Sequence, residues 1–96
     1  MIVSYSTRQL ERVCGDERAM RKAYGADVAK RLRQRLTDLR EAASVEELLH
    51  NPGRWEQLTA DRVGYWSGRL SANWRLIVGP TGDGLEVVVI EVVDYH

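Results

Sequence analysis

The amino-acid sequence predicts an α+β fold in which an N-terminal strand and several helices pack on one face of a mostly antiparallel sheet. Residues 1–5 are typical of a short strand, and helical spacing of apolar residues follows as far as residue 43. After Gly53 the apolar segments are short and are separated by turn sequences, which favours strands. A chain of 96 residues is long enough for one core, so residues 1–96 are expected to form a single domain.

The helices are predicted from caps and from periodicity. Ser6 or Thr7 can cap a short helix that ends near Gly15. Residues 26–43 are expected to form a longer helix, because apolar side chains recur there at intervals of three and four. These apolar residues are Val28, Leu32, Leu36, Leu39 and Ala43. Residues 16–24 can be helix or loop, since glycines flank this segment and weaken helical structure.

The second half of the chain is predicted to consist mainly of strands. Ser44 and Glu47 form a capping-box pattern, in which Ser44 bonds the backbone at Glu47 and the carboxylate reaches back. Pro52 and Gly53 then end helical structure. The strands are predicted at residues 54–58, 64–70, 74–79 and 85–93, with turns at 71–73 and 80–84. Residues 87–90 are all apolar, which indicates that the last strand is central, with helices on one face and the opposite face left for function.

Charge is distributed unevenly along the chain although the net charge is +0. Residues 1–40 hold ten Arg and Lys against five Asp and Glu, whereas residues 41–96 hold four against nine. The N-terminal half is therefore the better candidate for contact with a polyanion, although charges on helix surfaces often serve only solvation.

Several classes of protein are disfavoured by the composition. No apolar run approaches the roughly 20 residues that span a bilayer, and no signal-type segment opens the chain, so a cytoplasmic protein without membrane contact is expected. The single cysteine, Cys14, excludes an internal disulfide and is interpreted as a small buried side chain. His50 and His96 are far apart with no ligand-spaced companions, so we expect neither a metal site nor a cofactor.

Three segments of the C-terminal half carry a resemblance to a known family. They are residues 58–67, LTADRVGYWS, residues 73–77, NWRLI, and residues 92–96, VVDYH. In the same order, HigB-type toxins carry a Gly-Asp-Arg-x-Gly-x-x-Ser turn, an Asn-x-x-Arg or Asn-Trp-Arg strand and a terminal Asp-Tyr-His. The chain thus resembles the HigB branch of the RelE/ParE toxin superfamily, over its whole length in element order and over residues 54–96 in motifs.

This resemblance implies a RelE-like fold and the toxin of a type II toxin-antitoxin system. Such toxins cleave mRNA in the ribosomal A site and so inhibit translation, and they are neutralised by a helix-turn-helix antitoxin, here HigA-like. Contact with operator DNA is implied only through the toxin–antitoxin complex. The RNA is thought to supply its own 2′-hydroxyl as the nucleophile, so the implied activity is that of a metal-independent endoribonuclease, or mRNA interferase.

The resemblance assigns catalytic roles to the second and third segments. Arg75 can hold the charge that develops on the phosphorane, the alternative being a surface arginine paired with a carboxylate. His96 can exchange a proton near neutral pH, and Asp94 can orient it or accept a proton itself. Tyr95 can stack on a base or donate its hydroxyl. Terminal residues often fray, but here the preceding strand is expected to anchor them.

Glu56 marks a departure from the family pattern, because related toxins commonly have a histidine at this place. A carboxylate can serve as a general base, but it cannot supply the positive charge of a protonated histidine, which puts this part of the catalytic assignment in question. Arg54 and Arg62 are candidate RNA contacts, although Arg62 in its turn can equally be structural. The tryptophans at 55, 66 and 74 include candidates for base stacking, and those at 66 and 74 are expected to pack instead.

Two other functions remain open on the sequence. A ParE-like toxin inhibits DNA gyrase by binding and cleaves no nucleic acid, and the superfamily shares one fold, so fold alone does not separate the two. A catalytically decayed toxin that only binds its antitoxin is the third reading, supported by Glu56 in place of histidine. Arg75 and the terminal Asp94-Tyr95-His96 favour the nuclease.

Overall fold

The computed structural model describes residues 1–95, and one sheet with three helices forms its frame. In chain order the elements are β1 (Ile2–Tyr5), α1 (Arg8–Cys14), α2 (Glu17–Tyr24), α3 (Ala26–Glu41), β2 (Glu56–Gln57), β3 (Trp66–Arg69), β4 (Trp74–Pro80) and β5 (Glu86–Asp94). Two short 3₁₀ helices, Val45–His50 and Ala60–Arg62, lie in the connections. No helix within the described range is long and apolar enough to cross a membrane.

The sheet confirms the predicted α+β architecture. Its strand order is β1-β5-β4-β3-β2, and every pairing is antiparallel except that of β1 with β5. The helices contact β1, β3 and β4 from one side. The predicted position of the last strand was wrong by one place, because β4 lies at the centre and β5 beside it. Strand β1 pairs with the outer edge of β5, so β5 has a neighbour on both sides without being the middle strand. An entirely apolar segment is therefore compatible with this position.

The N-terminal helices begin and end where the chain offers caps. Thr7 Oγ1 accepts the Leu10 N–H at 3.1 Å and starts α1, as predicted. Asp16 Oδ1 accepts the Arg18 N–H at 3.0 Å and starts α2. Residues 17–24, for which the sequence allowed either helix or loop, are therefore helical. Gly25, with φ of 87°, then turns the chain into α3, because this conformation is easily reached only by glycine.

The predicted capping box at Ser44 is wrong in its main contact. The Ser44 side chain makes no capping hydrogen bond, because the Glu47 N–H is already directed to the Ser44 carbonyl at 3.3 Å in the 3₁₀ helix. Glu47 does reach back, but its Oε2 accepts the N–H of Ala43 at 2.6 Å. Strand β2 is also shorter than predicted, since Arg54 has a left-handed backbone (φ 50°) that a strand cannot include.

The core lies between α3 and the helix-facing side of the sheet. Trp55 and Trp66 belong to it, with 4% exposure each, and the apolar face of α3 packs against the strands as its periodicity predicted. The helix ends two residues earlier than predicted, at Glu41, so Ala43 is exposed outside it and Ala42 is buried instead. The largest fully buried aliphatic and Met side chains of this core are Met20, Leu32, Leu36, Leu39, Leu48, Leu76, Val78, Val87 and Val89. The Trp55 ring lies directly against Gly68, where any Cβ would approach its carbons to 2.8 Å. The close contact requires glycine at this position.

We therefore expect Gly68→Ala to destabilise the protein by about 1–3 kcal/mol, because the added methyl overpacks the contact with a buried ring. Urea denaturation followed by tryptophan fluorescence measures this loss. Gly82→Ala is the matched control, since nothing lies within 4 Å of its added methyl. Equal free energies of unfolding for the two variants would contradict this account of the core.

Cys14 is buried, as predicted, and burial raises the pKa of its thiol to about 11. Because only the thiolate reacts with disulfide reagents, the native protein should react at pH 8 more than about 100-fold more slowly than the urea-unfolded chain. Colour development with a chromogenic aryl disulfide measures both rates. Comparable rates in the two states would show that Cys14 is accessible and reactive.

Candidate active site

The two faces of the sheet differ because successive side chains in a strand point to opposite sides. Leu76 and Val78 of β4 join the core under the helices, which directs Arg75 and Ile77 to the other side, called here the open face. A bulge at Ile90 adjusts the register, so that Ile77 lies opposite Glu91 and Arg75 opposite Val93. Candidate catalytic side chains are thus collected on the face that the helices leave free.

Arg75 is held firmly at the end of the β3–β4 hairpin. Its Nη1 donates to the carbonyl of Ser71 at 2.8 Å, to that of Ala72 at 3.3 Å and to that of Trp74 at 2.9 Å. No ion pair with a carboxylate of residues 1–95 was found for it, so the expected alternative of a carboxylate-paired arginine is not seen within that range. Fixed on one edge by carbonyls, the guanidinium can offer its other edge to a phosphate.

Tyr95 lies beside Arg75 and is anchored by its backbone. Its N–H donates to the Asn73 carbonyl at 2.9 Å, and its ring centroid lies 5.8 Å from Arg75 Cζ. Half of the side chain is exposed. Asp94 precedes it as the last residue of β5, paired with Trp74. The tail is therefore ordered to Tyr95 by strand pairing, as predicted, while the predicted proton donor His96 lies outside the described residues.

Glu56 shares the open face with Arg75. It pairs with Ser67, which pairs in turn with Ile77, so Glu56, Ser67, Ile77 and Glu91 form one row across four strands. Arg75 belongs to the neighbouring row. Two interstrand spacings and one two-residue step separate the Cα atoms of Glu56 and Arg75 by about 12 Å. Glu56 is exposed, and the gap between the two side chains is wide enough for a phosphodiester.

The loop between β2 and β3 covers part of the open face. Arg62 reaches across to Glu91 on β5 with an Nη1–Oε1 distance of 2.7 Å, and the Tyr65 ring packs on Gly79 of β4. The hydrogen bond with Glu91 and its charge raise the pKa of Arg62, with a smaller contribution from nearby Tyr95. Arg62 is thus structural in this state, and a phosphate would have to compete with Glu91 for it.

The remaining predicted contacts are divided between the surface and the core. Arg54 is exposed, next to the edge strand β2. Trp55 and Trp66 are buried and cannot stack on a base, and Trp74 packs edge-to-face on Tyr24 at 5.6 Å. Base stacking by a tryptophan is therefore not supported, and Tyr95 is an exposed aromatic side chain beside Arg75. Among residues 1–95, no group of three or more His, Cys, Asp or Glu side chains could hold a metal ion.

Arg69 is paired directly with Arg75 and was not among the residues predicted from the sequence. Its Nε donates to the Ser71 carbonyl at 3.3 Å, the same oxygen that Arg75 Nη1 contacts. The signal was present in the hairpin itself, because residues placed evenly on either side of a tight turn face each other across the strands. Two guanidinium groups therefore meet at this turn.

Comparison with known proteins places this fold among solved toxin structures. The YoeB/ParE toxin from Agrobacterium tumefaciens superposes with a TM-score of 0.70 at 19% identity, covering 100% of this chain and 99% of that one. The YoeB-YefM complex from Staphylococcus aureus gives 0.65 at 18%, with 100% and 97% covered, and YafQ from E. coli gives 0.63 at 16%, with 96% and 90% covered. No protein-family model and no curated protein matches the sequence. The similarity establishes a shared fold.

The contacts of Arg75 predict a structural effect in addition to any catalytic one. Arg75→Ala removes three hydrogen bonds from the β3–β4 turn, so we expect a loss of about 1–3 kcal/mol in the free energy of unfolding. Thermal denaturation by circular dichroism measures it, with Glu56→Gln, which removes no contact of the turn, as the control. A melting temperature unchanged in Arg75→Ala would show that the turn does not depend on these bonds.

Proposed function

We propose that this chain is the toxin of a type II toxin-antitoxin system and cleaves mRNA on the ribosome, as the HigB-like motifs imply. The observation that carries the proposal is the placement of Arg75, Tyr95 and Glu56 together on the open face of the sheet. RNA cleavage without a metal requires a proton acceptor, a proton donor and a cation that stabilises the phosphorane. Glu56 and Arg75 can supply the acceptor and the cation, and Tyr95 can stack on a base or donate its hydroxyl. The shared fold with YoeB and YafQ structures supports the toxin assignment.

In the proposed reaction, Glu56 takes the proton of the 2′-hydroxyl, whose oxygen attacks the adjacent phosphorus. The 2′-oxygen–phosphorus bond forms and the bond to the 5′-oxygen breaks, which leaves a cyclic phosphate and a 5′-hydroxyl. Arg75 stabilises the negative charge on the phosphorane oxygens. A proton must reach the leaving oxygen, and the motif assigns this step to His96, with Tyr95 and Asp94 orienting the tail or the RNA.

The shape of the site explains why the ribosome is part of the proposal. Glu56 and Arg75 are far apart for a self-contained acid–base pair, and they lie on an open sheet surface rather than in a deep cleft. An exposed surface does not by itself hold a flexible RNA in the geometry needed for in-line attack. The decoding site of the ribosome would hold the mRNA in a fixed conformation, so that the 2′-hydroxyl and the phosphorus are aligned for attack.

The proposed partners follow from the same assignment. The S. aureus neighbour was solved as a YoeB-YefM toxin-antitoxin complex, which favours an antitoxin partner for this chain as well. We propose a HigA-like helix-turn-helix antitoxin and contact with operator DNA only through that complex. The place of action would be the cytoplasm, where ribosomes and mRNA meet. Arg54 and Arg62 are proposed RNA contacts. Arg62 would first have to release its ion pair with Glu91 before it could bind a phosphate.

Gyrase inhibition is the second candidate, because the A. tumefaciens neighbour is described as both YoeB and ParE. A gyrase inhibitor would act by binding, so it would not depend on the protonation chemistry of Glu56. This difference lets one set of variants distinguish the two functions.

We expect Glu56→Gln to reduce mRNA cleavage by at least about 100-fold, the usual contribution of a general base, while the fold is kept. The protein, this variant and His96→Ala are induced in bacteria, and mRNA 5′ ends are mapped by primer extension. Glu46→Gln, an exposed carboxylate on the 3₁₀ helix Val45–His50, is the matched control and should cleave normally.

Purified protein is assayed in parallel for inhibition of gyrase supercoiling. New codon-phased 5′ ends that vanish in Glu56→Gln but persist in Glu46→Gln support the nuclease. Intact mRNA together with blocked supercoiling would replace it by the gyrase inhibitor. Intact mRNA and normal supercoiling would leave only a protein that binds its antitoxin.

A further inference from the structure

A small cavity of about 220 Å³ lies between α3, the segment before β2 and the β3–β4 turn. Four arginines line it, Arg31 and Arg35 from α3, Arg54 from the segment and Arg69 from β3. No acidic side chain of residues 1–95 lines it. Asp38, 3.3 Å from Arg35, compensates the charge of that arginine. The other three have no ion pair among residues 1–95 and repel each other unless an anion lies among them, so the charge pattern favours a negative ligand.

Arg35 is the unusual member of this group, because only 6% of it is exposed. Its Nε lies 3.3 Å from Asp38 Oδ2, an ion-pair distance, but the N–H is not aligned for a hydrogen bond and has no other acceptor among residues 1–95. Its Nη2 makes one long bond of 3.5 Å to Gln34 Oε1. A buried guanidinium normally has its donors satisfied, whereas this one is bonded only weakly on the described side, which keeps its edge of the cavity electropositive.

The backbone on the other side of the cavity is built to accommodate this arginine. A Cβ at Gly53 would lie 2.3 Å from Arg35 Nη1, so only glycine leaves room for the guanidinium. The next residue, Arg54, has a φ of 50°, a left-handed conformation that disfavours side chains. Arg54 thus has a strained backbone and no carboxylate partner among the described residues. This combination indicates a function for the Arg54 side chain.

We propose that this cavity binds a backbone phosphate of the RNA, next to the one that Arg75 would contact. Guanidinium groups match phosphate oxygens in geometry and charge. Arg69 and Arg75 both donate to the Ser71 carbonyl, so the cavity begins one side chain away from the candidate active site. The identity of the anion as RNA rests on the proposed function, whereas the capacity for an anion rests on the cavity alone.

The surroundings favour a polynucleotide over an acidic peptide. Beyond Arg31 the cavity continues into a wider groove along α3, which is lined by Lys30 and Arg33 and by one carboxylate, that of Asp38 beside Arg35. Large exposed apolar side chains, which anchor peptides in protein interfaces, do not line either space within residues 1–95. A continuous basic track with few apolar anchors is the usual electrostatic signature of backbone contact with nucleic acid. It also gives a function to the basic N-terminal half of the chain.

Binding of a fluorescent hexanucleotide RNA with 2′-O-methyl groups, which cannot be cleaved by its own 2′-hydroxyl, tests the proposal. Affinity is measured by anisotropy at several salt concentrations with the full chain. We expect Arg54→Gly and Arg31→Ala each to weaken binding about tenfold and to lower the slope of log affinity against log salt by about 0.7, the value for one lost phosphate contact in a single strand. Arg12→Ala, an exposed arginine on α1, should bind like the unaltered protein.

Arg54→Gly separates a binding role from a structural one. Glycine adopts φ of 50° without strain, so the melting temperature should not fall by more than about 2 °C even though the RNA contact is lost. Arg31→Ala removes an exposed side chain of α3 and provides the same readout without touching the turn. RNA affinity equal to that of the unaltered protein in both variants would overturn the proposal.

A hexaglutamate peptide is the competing probe. Tighter binding of this peptide than of the RNA, lost in Arg54→Gly, would replace the phosphate by an acidic peptide. The test is also independent of the cleavage experiment. If RNA affinity depends on Arg54 but cellular mRNA stays intact, the proposed phosphate site is supported and the proposed nuclease activity is rejected. If mRNA cleavage depends on Glu56 but RNA affinity is unchanged in the Arg54 and Arg31 variants, the nuclease activity is supported and the proposed phosphate site is rejected.

Discussion

The antiparallel pairing of β4 with β5 is the interaction on which the rest of the structure depends. Its alternation sends Leu76, Val78 and Val87 toward α3 and leaves Arg75 and Glu91 on the open face. The bulge at Ile90 resets the alternation within β5, so that both halves of the strand contribute to the core. A single pairing therefore builds the hydrophobic core and assembles the candidate active site at the same time.

Carbonyl groups and ion pairs then fix the polar side chains on this frame. The β3–β4 turn offers its carbonyl oxygens to Arg75 and Arg69, which brings two guanidinium groups together, and no ion pair of either with a carboxylate occurs among residues 1–95. Across the sheet, Arg62 and Glu91 tie the β2–β3 loop over Ile77. Cations that are held by neutral carbonyls keep their full charge for a ligand, whereas Arg62 has its charge compensated. This contrast favours the turn over the loop as the candidate phosphate site.

Helix α3 serves the core on one side and the basic groove on the other. Its apolar stripe packs on the sheet, and Lys30, Arg31 and Arg33 border the groove on the surface. Arg35 lies between these regions, buried against Gly53 and close to Asp38. The excess of positive charge in the N-terminal half is thereby brought beside the candidate active site, although the candidate catalytic residues come from the C-terminal half.

Local signals in the sequence determined much of this protein. The caps at Thr7, the periodicity of α3 and the turn residues at 71–73 each act over a few residues, so they could be recognised without a structure. The motif around Arg75 and Tyr95 likewise indicated the site, because its residues are short-range neighbours across one hairpin and one strand end. The capping box failed because the backbone bonds of a 3₁₀ helix took the donor that Ser44 was expected to bind.

Only the tertiary structure decided how distant segments meet. The order of strands, the buried position of Trp55 and the reach of Arg62 to Glu91 all depend on contacts between residues far apart in the chain. The arginine cavity is the clearest case, since its members come from α3, the segment before β2 and β3. Periodicity and spacing in the sequence do not predict contacts between such distant segments, because long-range packing is set by the burial of the whole core and not by any one segment.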